Sequence, residues 1–381
     1  MTSTILVHEW LARRGGSENV YMALSEALPE ADLLCLWNDD PDRLRERDLQ
    51  ETWLARTPLR RSKVAALPFI IPTWRRRRGD YSRIIVSSHL FAHHVSFRGS
   101  PVGARKFVYV HTPARYIWTP ELDERGSSLP ARIASAMLRP YDRRRAREPW
   151  SIAANSAYVQ QRVRDTWGRE AVVIHPPVDV ERIQATPSWR AKLNDEERST
   201  LDALPAGFIL GASRFVEYKR LDRVIEIGEA AQRPVVLAGG GPLAAALAEQ
   251  ASTARVPVTI IAEPSDAMLF ALYEAAAAFV FPPVEDFGIM PVEAHAAGCP
   301  TLVHDVGGAQ ESTTEGVSGA VVDIDSADDI VVAALERAIA LDRDICKQDA
   351  RRFSRASFAT AIHTWIDTAP RSASTTGAID R

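Results

Sequence analysis

The chain has 381 residues, which is too long for one hydrophobic core and predicts two domains of ordinary size. Hydrophobic residues make up 46% and charged residues 25%, and no apolar stretch reaches the ~18 residues that a membrane-spanning helix needs. Three cysteines, Cys35, Cys299 and Cys346, lack the spacing of metal ligands, so neither disulfides nor zinc are expected. The N-terminus lacks a basic region followed by a long apolar run, so we expect no signal peptide and a cytoplasmic location.

Charge is distributed unevenly along the chain. Residues 1–185 carry 29 Lys/Arg and 21 Asp/Glu, a net +8, whereas residues 186–381 carry 17 and 28, a net −11. A basic first half indicates an anionic partner. Nucleic acid is not expected, because no nucleic-acid motif is present and the basic residues are not regularly interleaved with aromatic ones.

Strand and helix patterns alternate throughout the chain, which predicts the α/β class with mostly parallel sheets covered by helices on both faces. We predict strands at 4–8, 82–88, 106–110, 152–156, 208–212, 235–238, 256–262 and 278–281. The polar, proline-bounded segment 186–205 is interpreted as a linker between Rossmann-like domains at 1–185 and 206–348. An amphipathic helix is predicted over 349–367, followed by a disordered tail over 368–381.

The loop after the first strand ends in Gly15 and Gly16, before a helix predicted over 17–28 with Ser17 as its N-cap. Glycines at this place let a phosphate approach the N–H groups at the start of the helix. A plain glycine turn explains the pattern equally well. The spacing is not that of a dinucleotide-binding loop.

Segment 64–78 joins the apolar run VAALPFIIPTW to four consecutive arginines. Two interpretations remain open. The segment is either a membrane-surface patch, with apolar side chains in the headgroup region and arginines on anionic lipid, or a core helix followed by a solvated turn.

His111 follows the predicted strand 106–110 and so lies at the carboxyl end of a sheet, although a single histidine is more often structural than functional. His93 and His94 are neighbours that cannot share one face of a helix, so we predict no metal site there. Asp323 and Asp325 follow a short strand far from the other candidate residues, so no metal ligands are predicted for the protein.

Arg214 and Lys219 flank the turn between the strand at 208–212 and the next helix. Two fixed cations at the edge of a crevice can stabilise developing negative charge where water is excluded. Further along, the buried strand at 278–281 is stopped by two prolines and followed by a helix that begins near Pro291. Glu285 and Glu293 bracket this turn, and ligands of open α/β sheets bind beyond the carboxyl ends of the strands.

The run EDFGIMPVEAHAAGCP from Glu285 resembles the Glu-x7-Glu signature of the retaining glycosyltransferases of family 4, which adopt the GT-B fold. SRFVEYKRLD from Ser213, HTPARYIW from His111 and VHEWLARRGGSENV from Val7 are similar to the corresponding family segments. The resemblance covers nearly the whole chain. It implies two Rossmann-like domains facing each other across a cleft, with the C-terminal helix returning to the first domain, and no metal or other cofactor.

The resemblance also implies the roles of the site residues. The catalytic residues would be His111, Glu285, Arg214 and Lys219. His111 would contact the donor sugar near its anomeric carbon, and Arg214 and Lys219 would bind the diphosphate. The donor would be held by Gly15, Gly16, Arg214, Lys219, Glu285, the backbone N–H groups at Phe287, Gly288 and Ile289, and Glu293, which would bind the ribose hydroxyls.

A subgroup of mannosyltransferases of polysaccharide assembly is most similar, so GDP-mannose is the expected donor. UDP-glucose and other nucleotide sugars remain open, because Ala262-Glu263-Pro264 stands where the family usually has a glycine against the base. The expected acceptor is a glycan, a lipid-linked glycan or a small molecule. If segment 64–78 binds lipid, the enzyme would lie on the inner face of the membrane.

Front-face substitution is expected, because the sequence places no carboxylate as a nucleophile on the far face of the sugar. Two alternatives are a nucleotide-sugar 2-epimerase, which needs no acceptor, and a non-catalytic subunit that binds nucleotide sugars. The signature and the basic first half disfavour the epimerase, and the complete set of His111, Arg214, Lys219, Glu285 and Glu293 disfavours the non-catalytic subunit.

Overall fold

A computed structural model describes residues 3–13, 15–118 and 129–373 of the chain. The protein divides into two units, of which the first comprises Met1–Pro177 with Phe358–Arg381 and the second comprises Val178–Ser357. In the described part of the chain, no helix combines the length and the apolar character that crossing a bilayer requires.

The first unit is built on a parallel sheet of seven strands. In chain order its strands are β1 (Thr4–Val7), β2 (Asp32–Cys35), β3 (Leu49–Glu51), β5 (Arg83–Ser88), β7 (Arg105–Val110), β8 (Ser151–Ala154) and β9 (Val172–Val173). Their order across the sheet is β3-β2-β1-β5-β7-β8-β9. The short strands β4 (Arg77–Arg78) and β6 (Phe97–Arg98) form a separate parallel pair.

Both faces of this sheet are buried, which explains why its central strands are almost continuously apolar. Along β1, Ile5 and Val7 join one hydrophobic core and Leu6 joins the core on the opposite face. The helices of the unit are α1 (Gly16–Ala27), α2 (Lys63–Arg75), α3 (Arg115–Trp118), α4 (Leu129–Arg145), α5 (Ala157–Trp167) and the C-terminal α15 (Arg355–Thr368).

The second unit contains a parallel sheet of six strands. Its strands are β10 (Ile209–Arg214), β11 (Val235–Gly240), β12 (Val258–Ala262), β13 (Ala278–Phe281), β14 (Thr301–His304) and β15 (Gly319–Val322). The order β12-β11-β10-β13-β14-β15 places a switch point between β10 and β13, because the chain builds outward on one side of β10 and then returns to the other. Open α/β sheets bind their ligands at such a point.

Nine helices of the described chain belong to this unit. They are α6 (Val180–Ala185), α7 (Asp195–Asp202), α8 (Leu221–Ala230), α9 (Ala244–Thr253), α10 (Asp266–Ala275), α11 (Ile289–Ala296), α12 (Ala309–Ser312), α13 (Asp328–Ile339) and α14 (Arg343–Ala350). The predicted α/β class is therefore correct.

The segment 186–205 differs from the predicted linker, because it is folded into the second unit. Trp189, Leu193 and Leu201 are buried in the core of that unit, and the Trp189 ring stacks on Phe270 with ring centroids 4.5 Å apart. Its helix α7 begins with a capping box between Asn194 and Glu197. Three apolar side chains thus anchor a segment whose overall polarity indicated a linker.

The C-terminal segment also differs in detail from the prediction. Asp349 and Ala350 belong to α14, and the last helix begins at Arg355. That helix packs on the first unit, where Trp365 Nε1 donates to Ser151 Oγ at 2.9 Å. The predicted disordered tail begins too early, because the Ser372 backbone N–H donates to the Trp150 carbonyl at 2.8 Å. Residues 374–381 lie outside the described residues.

The predicted N-cap of α1 is wrong by two positions. Helix α1 begins at Gly16 and has Gly15 at its N-cap, while the Ser17 hydroxyl donates to the Glu18 carboxylate at 2.7 Å. The N-cap of α10 is Ser265, whose hydroxyl accepts from the backbone N–H of Met268. A serine or aspartate caps a helix only where its own backbone is not yet helical, which sequence alone does not settle to the residue.

Candidate functional site

A cationic and an acidic side chain meet at the switch point of the second sheet. Lys219 lies in the turn between β10 and α8, and Glu285 lies four residues beyond the end of β13. The Lys219 Nζ donates to Glu285 Oε1, in an ion pair whose side chains are 10% and 26% exposed. The structure therefore brings together two residues that are 66 positions apart in the chain and that the sequence assigned to one crevice.

Arg214, the third charged residue of this group, ends strand β10. Its side chain is exposed, and its Nη2 donates to the Tyr218 hydroxyl at 3.1 Å. No carboxylate of the described chain pairs with it, so its charge is available to an anion arriving from solvent.

Two glycines hold the Glu285 loop in position. The Gly308 N–H donates to the Glu285 carbonyl at 2.6 Å. A Cβ atom on Gly308 would lie 2.1 Å from the carbonyl oxygen of Asp286, and one on Gly307 would lie 2.9 Å from that of Glu285. Gly307 also has a φ of +99°, a conformation that favours glycine. These glycines are required because two backbone segments approach too closely for side chains.

Helix α11 starts at this loop and points its N-terminus toward the same crevice edge. It begins at Ile289, and Gly288 precedes it without a side chain that caps the helix. A Cβ on Gly288 would lie 2.9 Å from Ser312 Oγ and 3.1 Å from Ala309 Cα, so glycine is needed for α11 to pack beside α12. The N-terminal N–H groups of such a helix are suited to hydroxyl or anionic oxygen atoms.

Glu293 lies on the second turn of α11 and is partly buried. Burial raises the pKa of Glu293 from its ordinary value near 4.5 to about 7, an effect that Arg182 opposes and Asp266 reinforces. The side chain has no hydrogen-bond partner among the described residues. Near neutral pH this carboxyl group therefore exists in both protonation states, and either state can hydrogen-bond a ligand hydroxyl.

In the first unit, His111 lies directly after β7, where the sequence predicted it. The ring is buried and its Nε2 lies 2.8 Å from Ser87 Oγ. Ser87 also contacts His8, whose Nδ1 lies 3.1 Å from the same hydroxyl oxygen. Burial, together with His8 and His89, lowers the pKa of His111 well below its ordinary value. His111 is therefore neutral at physiological pH.

The chain's own Glu18 occupies the space beside Gly15. A Cβ on Gly15 would lie 2.0 Å from Glu18 Oε2, and Glu18 Oε1 accepts from the Ala12 backbone N–H at 3.3 Å. A carboxylate thus lies at the start of α1, the position that one of the two interpretations of the glycine loop assigned to a phosphate. Gly16 is the first residue of the helix.

Glu9 is a buried charged residue of the first unit that the sequence analysis did not single out. Its Oε1 accepts from the backbone N–H groups of Leu90 at 2.8 Å and Ala92 at 2.9 Å, and so holds the loop that follows β5. Burial acts to raise the pKa of Glu9, but His89, His8 and these N–H groups outweigh it and lower the pKa. The signal for this residue was an acidic side chain directly after an apolar strand, in the segment VHEW.

Asp142 joins His93 and His94, which the sequence analysis had judged unable to act together. The Nε2 atoms of His93 and His94 lie 3.0 and 2.8 Å from Asp142 Oδ1. The indole N–H groups of Trp118 and Trp167 donate to Oδ2, both at 2.8 Å. The two histidines lie in a short 3-10 turn and not in an α-helix, so both rings can reach one carboxylate. The group is a buried anchor for helix α4, because one carboxylate accepts from both indole N–H groups and contacts both imidazole rings.

Solved structures with the same architecture identify the fold. The chain resembles HepE of Anabaena in complex with UDP and glucose, with a TM-score of 0.69 and 17% identity over 97% of this chain and 100% of that one. It also resembles the apo form of the lipopolysaccharide outer core galactosyltransferase WaaB, with a TM-score of 0.63 and 13% identity over 96% and 99%. The two Rossmann-like units therefore form a glycosyltransferase fold of the GT-B class.

The family follows from the sequence comparisons. A model described as Glycosyltransferase Family 4 matches residues 14–182, and one described as Glycosyl transferases group 1 matches residues 195–356. The chain belongs to glycosyltransferase family 4, as its signature segments indicated.

Its curated relatives include mannosyltransferases. A GDP-mannose-dependent alpha-(1-6)-phosphatidylinositol monomannoside mannosyltransferase of Mycobacterium tuberculosis is 30% identical over 214 residues, 52% of this chain and 54% of that protein. Alpha-1,3/1,6-mannosyltransferase alg-2 of Neurospora crassa is 27% identical over 209 residues, 44% of each chain. The chain thus matches about half the length of these relatives.

Proposed function

We propose that this protein is a retaining glycosyltransferase that moves a sugar from a nucleotide diphosphate donor to a hydroxyl of a glycan, a lipid-linked glycan or a small molecule. The observation that carries the proposal is the convergence of Arg214, Lys219 and Glu285 at the switch point of the second sheet. Family membership and the mannosyltransferase relatives support it.

The charges of the second unit suit a departing diphosphate. As the bond between the anomeric carbon and the phosphate oxygen breaks, negative charge develops on the leaving group, and Arg214 and Lys219 would stabilise it. Glu285 and the N–H groups at the start of α11 would hold the sugar hydroxyls, and Glu293 would hold the ribose hydroxyls. The family resemblance assigns His111 to the sugar near its anomeric carbon.

Front-face substitution is the mechanism that we favour. The acceptor oxygen bonds to the anomeric carbon on the face from which the diphosphate leaves, and the acceptor's proton passes to a phosphate oxygen of the leaving group. This route needs no enzymic nucleophile of the kind that retaining glycosidases use. It depends on cations that stabilise the diphosphate, which Arg214 and Lys219 supply.

GDP-mannose is the donor that we favour, because the mannosyltransferase relatives include a GDP-mannose-dependent enzyme. The complex of HepE with UDP and glucose is similar to this chain in fold alone. At the loop where the family usually has a glycine, Glu263 adopts a φ of +44°, in the left-handed region that favours glycine.

We propose that the enzyme binds its acceptor at a membrane surface. On α2, Val64 and Phe69 are 68% and 43% exposed, and the Trp53 ring lies at 6.1 Å from that of Phe69 in an edge-to-face arrangement. The exposed cations Arg61 and Arg76 lie at the two ends of this helix. Apolar side chains among cations are suited to anionic lipid.

The experiment that tests the function is a thermal-shift screen against nucleotide sugars and free nucleotides, followed by transfer assays with the donor that binds. A ligand that binds only the folded state raises the melting temperature. We expect a shift with one nucleotide diphosphate series, lost in Lys219→Ala. No shift with any nucleotide would contradict the proposal, and a shift without transfer to any acceptor would instead support a non-catalytic binding protein.

A further inference from the structure

Ser87 lies between two imidazole rings at the carboxyl end of β5. The residue is fully buried, and its hydroxyl oxygen is 2.8 Å from His111 Nε2 and 3.1 Å from His8 Nδ1. Its backbone carbonyl oxygen lies 3.2 Å from the same His8 Nδ1. This arrangement constrains the positions of the protons on both rings.

The carbonyl oxygen decides the direction of the hydrogen bonds. A carbonyl can only accept, so His8 Nδ1 must carry a proton. Glu9 Oε2, at 3.9 Å from this nitrogen, favours the same assignment. The Ser87 hydroxyl oxygen also faces that N–H, so it accepts from His8 and its own proton is free to donate to His111 Nε2. A ring nitrogen that accepts a hydrogen bond is unprotonated.

Both rings are neutral, so each carries one proton. Burial lowers the pKa of His8 to about 4, and burial with the neighbouring His8 and His89 lowers that of His111 well below its ordinary value. With Nε2 unprotonated, the single proton of His111 lies on Nδ1. This nitrogen has no hydrogen-bond partner among the described residues, so its N–H is available to a ligand.

We propose that Ser87 is a positioning residue that holds His111 in the tautomer protonated at Nδ1, so that His111 presents a hydrogen-bond donor and not a base to its ligand. The ligand atom that suits this donor is an oxygen, of either a sugar hydroxyl or a phosphate. The identity of the ligand rests on the proposed function, whereas the tautomer does not. A neutral donor also predicts that the transfer rate shows no inflection from His111 between about pH 6 and 8.

The tautomer can be measured directly, without activity. In protein labelled with ¹⁵N-histidine, two-bond nitrogen–proton correlation spectra distinguish protonated from unprotonated ring nitrogens, and His111→Gln assigns the signals. We expect protonated Nδ1 and unprotonated Nε2 for His111 in the wild type, and a mixture of both tautomers in Ser87→Ala. A wild-type ring protonated at Nε2 would overturn the proposal, whether or not the variant folds.

Kinetics test the consequence for turnover. Ser87→Ala should lower kcat about tenfold, the effect of one hydrogen bond, with the KM of the donor nearly unchanged. Ser87→Thr retains the hydroxyl and should restore most of the rate. Ser88→Ala is the matched control, because its hydroxyl contacts Glu9 and His93 and not His111.

The two proposals fail in different ways. An equal kcat in Ser87→Ala and wild type would refute the positioning role. Wild-type protein with the expected tautomer but without transfer from any nucleotide sugar would refute the proposed function, while the tautomer shift in Ser87→Ala would still support the effect of Ser87 on His111.

Discussion

Lys219 and Glu285 form an ion pair between the carboxyl ends of the two strands that flank the switch point of the second sheet. In the proposed reaction both groups have a second partner, since Lys219 binds the diphosphate and Glu285 binds the sugar. When the donor binds, the ion pair breaks and each side chain exchanges its partner for a group of the donor. The pair thus keeps two charged groups aligned before the donor arrives, at a low cost of reorganisation.

Replacing Lys219 should therefore damage turnover more than stability. We expect Lys219→Ala to lower kcat by a factor of about 10² to 10³, as is typical when one donor to a developing charge is removed. Arg233→Ala is the control, because Arg233 forms an exposed ion pair with Glu336 away from this loop. Steady-state kinetics with the donor found in the thermal-shift screen measures the effect. If Lys219→Ala transferred the sugar at nearly the wild-type rate, Lys219 would not be needed to stabilise the charge of the departing diphosphate, and the proposed mechanism would be contradicted.

The glycine at position 308 should be indispensable for the Glu285 loop. The Cβ of Gly308→Ala would overlap the Asp286 carbonyl oxygen, so the loop must move and Glu285 with it. We expect a lower midpoint of urea unfolding and weaker donor binding by calorimetry.

The matched control for this variant is Gly316→Ala. Gly316 has a φ of +72° but nothing within 4 Å of its Cβ position, so alanine there costs only the backbone conformation, about 1 kcal/mol. Donor binding should be unchanged in this control. Equal donor affinities for Gly308→Ala and wild type would show that the loop tolerates the displacement.

The carboxyl group of Glu293 should make stability depend on pH. Its pKa is raised by burial from near 4.5 to about 7 in the folded protein, so the folded state binds more protons than the unfolded state between these values. The free energy of unfolding should therefore fall as the pH rises from about 4.5 to 7 and level off above it. Glu293→Gln should remove this contribution and be more stable than wild type at pH 8.

Urea unfolding at several pH values measures this difference. Glu249→Gln, a change at an exposed glutamate of helix α9, is the control and should leave the pH dependence as in the wild type. A difference between Glu293→Gln and wild type that is the same at pH 4.5 and pH 8 would contradict the assignment of the titration to Glu293.

The exposed apolar side chains of α2 should contribute to lipid binding. Phe69→Asp should weaken binding to vesicles that contain phosphatidylglycerol by about tenfold or more, the effect of losing one buried aromatic side chain. Val102→Asp is the control, because Val102 is fully exposed in a loop of the same unit. Vesicle sedimentation measures the affinity. Equal vesicle binding by both variants, or no preference for anionic over phosphatidylcholine vesicles, would contradict the proposal that α2 binds a membrane surface.

Features that depend on neighbouring positions in the chain could be predicted from the sequence. The strand–turn–helix at 278–298, the turn that carries Lys219 and the position of His111 after a buried strand are local patterns of apolar runs, breakers and charged residues. The meeting of the Glu285 turn and the Lys219 turn at one edge of the second sheet could be expected, because parallel strands direct their carboxyl ends to the same side of a sheet.

Features that depend on burial and on distant partners were decided by the tertiary structure. Segment 186–205 is part of the second domain because the Trp189 ring stacks on Phe270. The two adjacent histidines contact Asp142, which lies 48 residues beyond His94 in the chain. The tautomer of His111 likewise follows from Ser87, 24 residues earlier. The sequence by itself determined the fold class and the residue types of the site. Only the folded chain decided protonation and pairing, because these depend on desolvation and on contacts between strands.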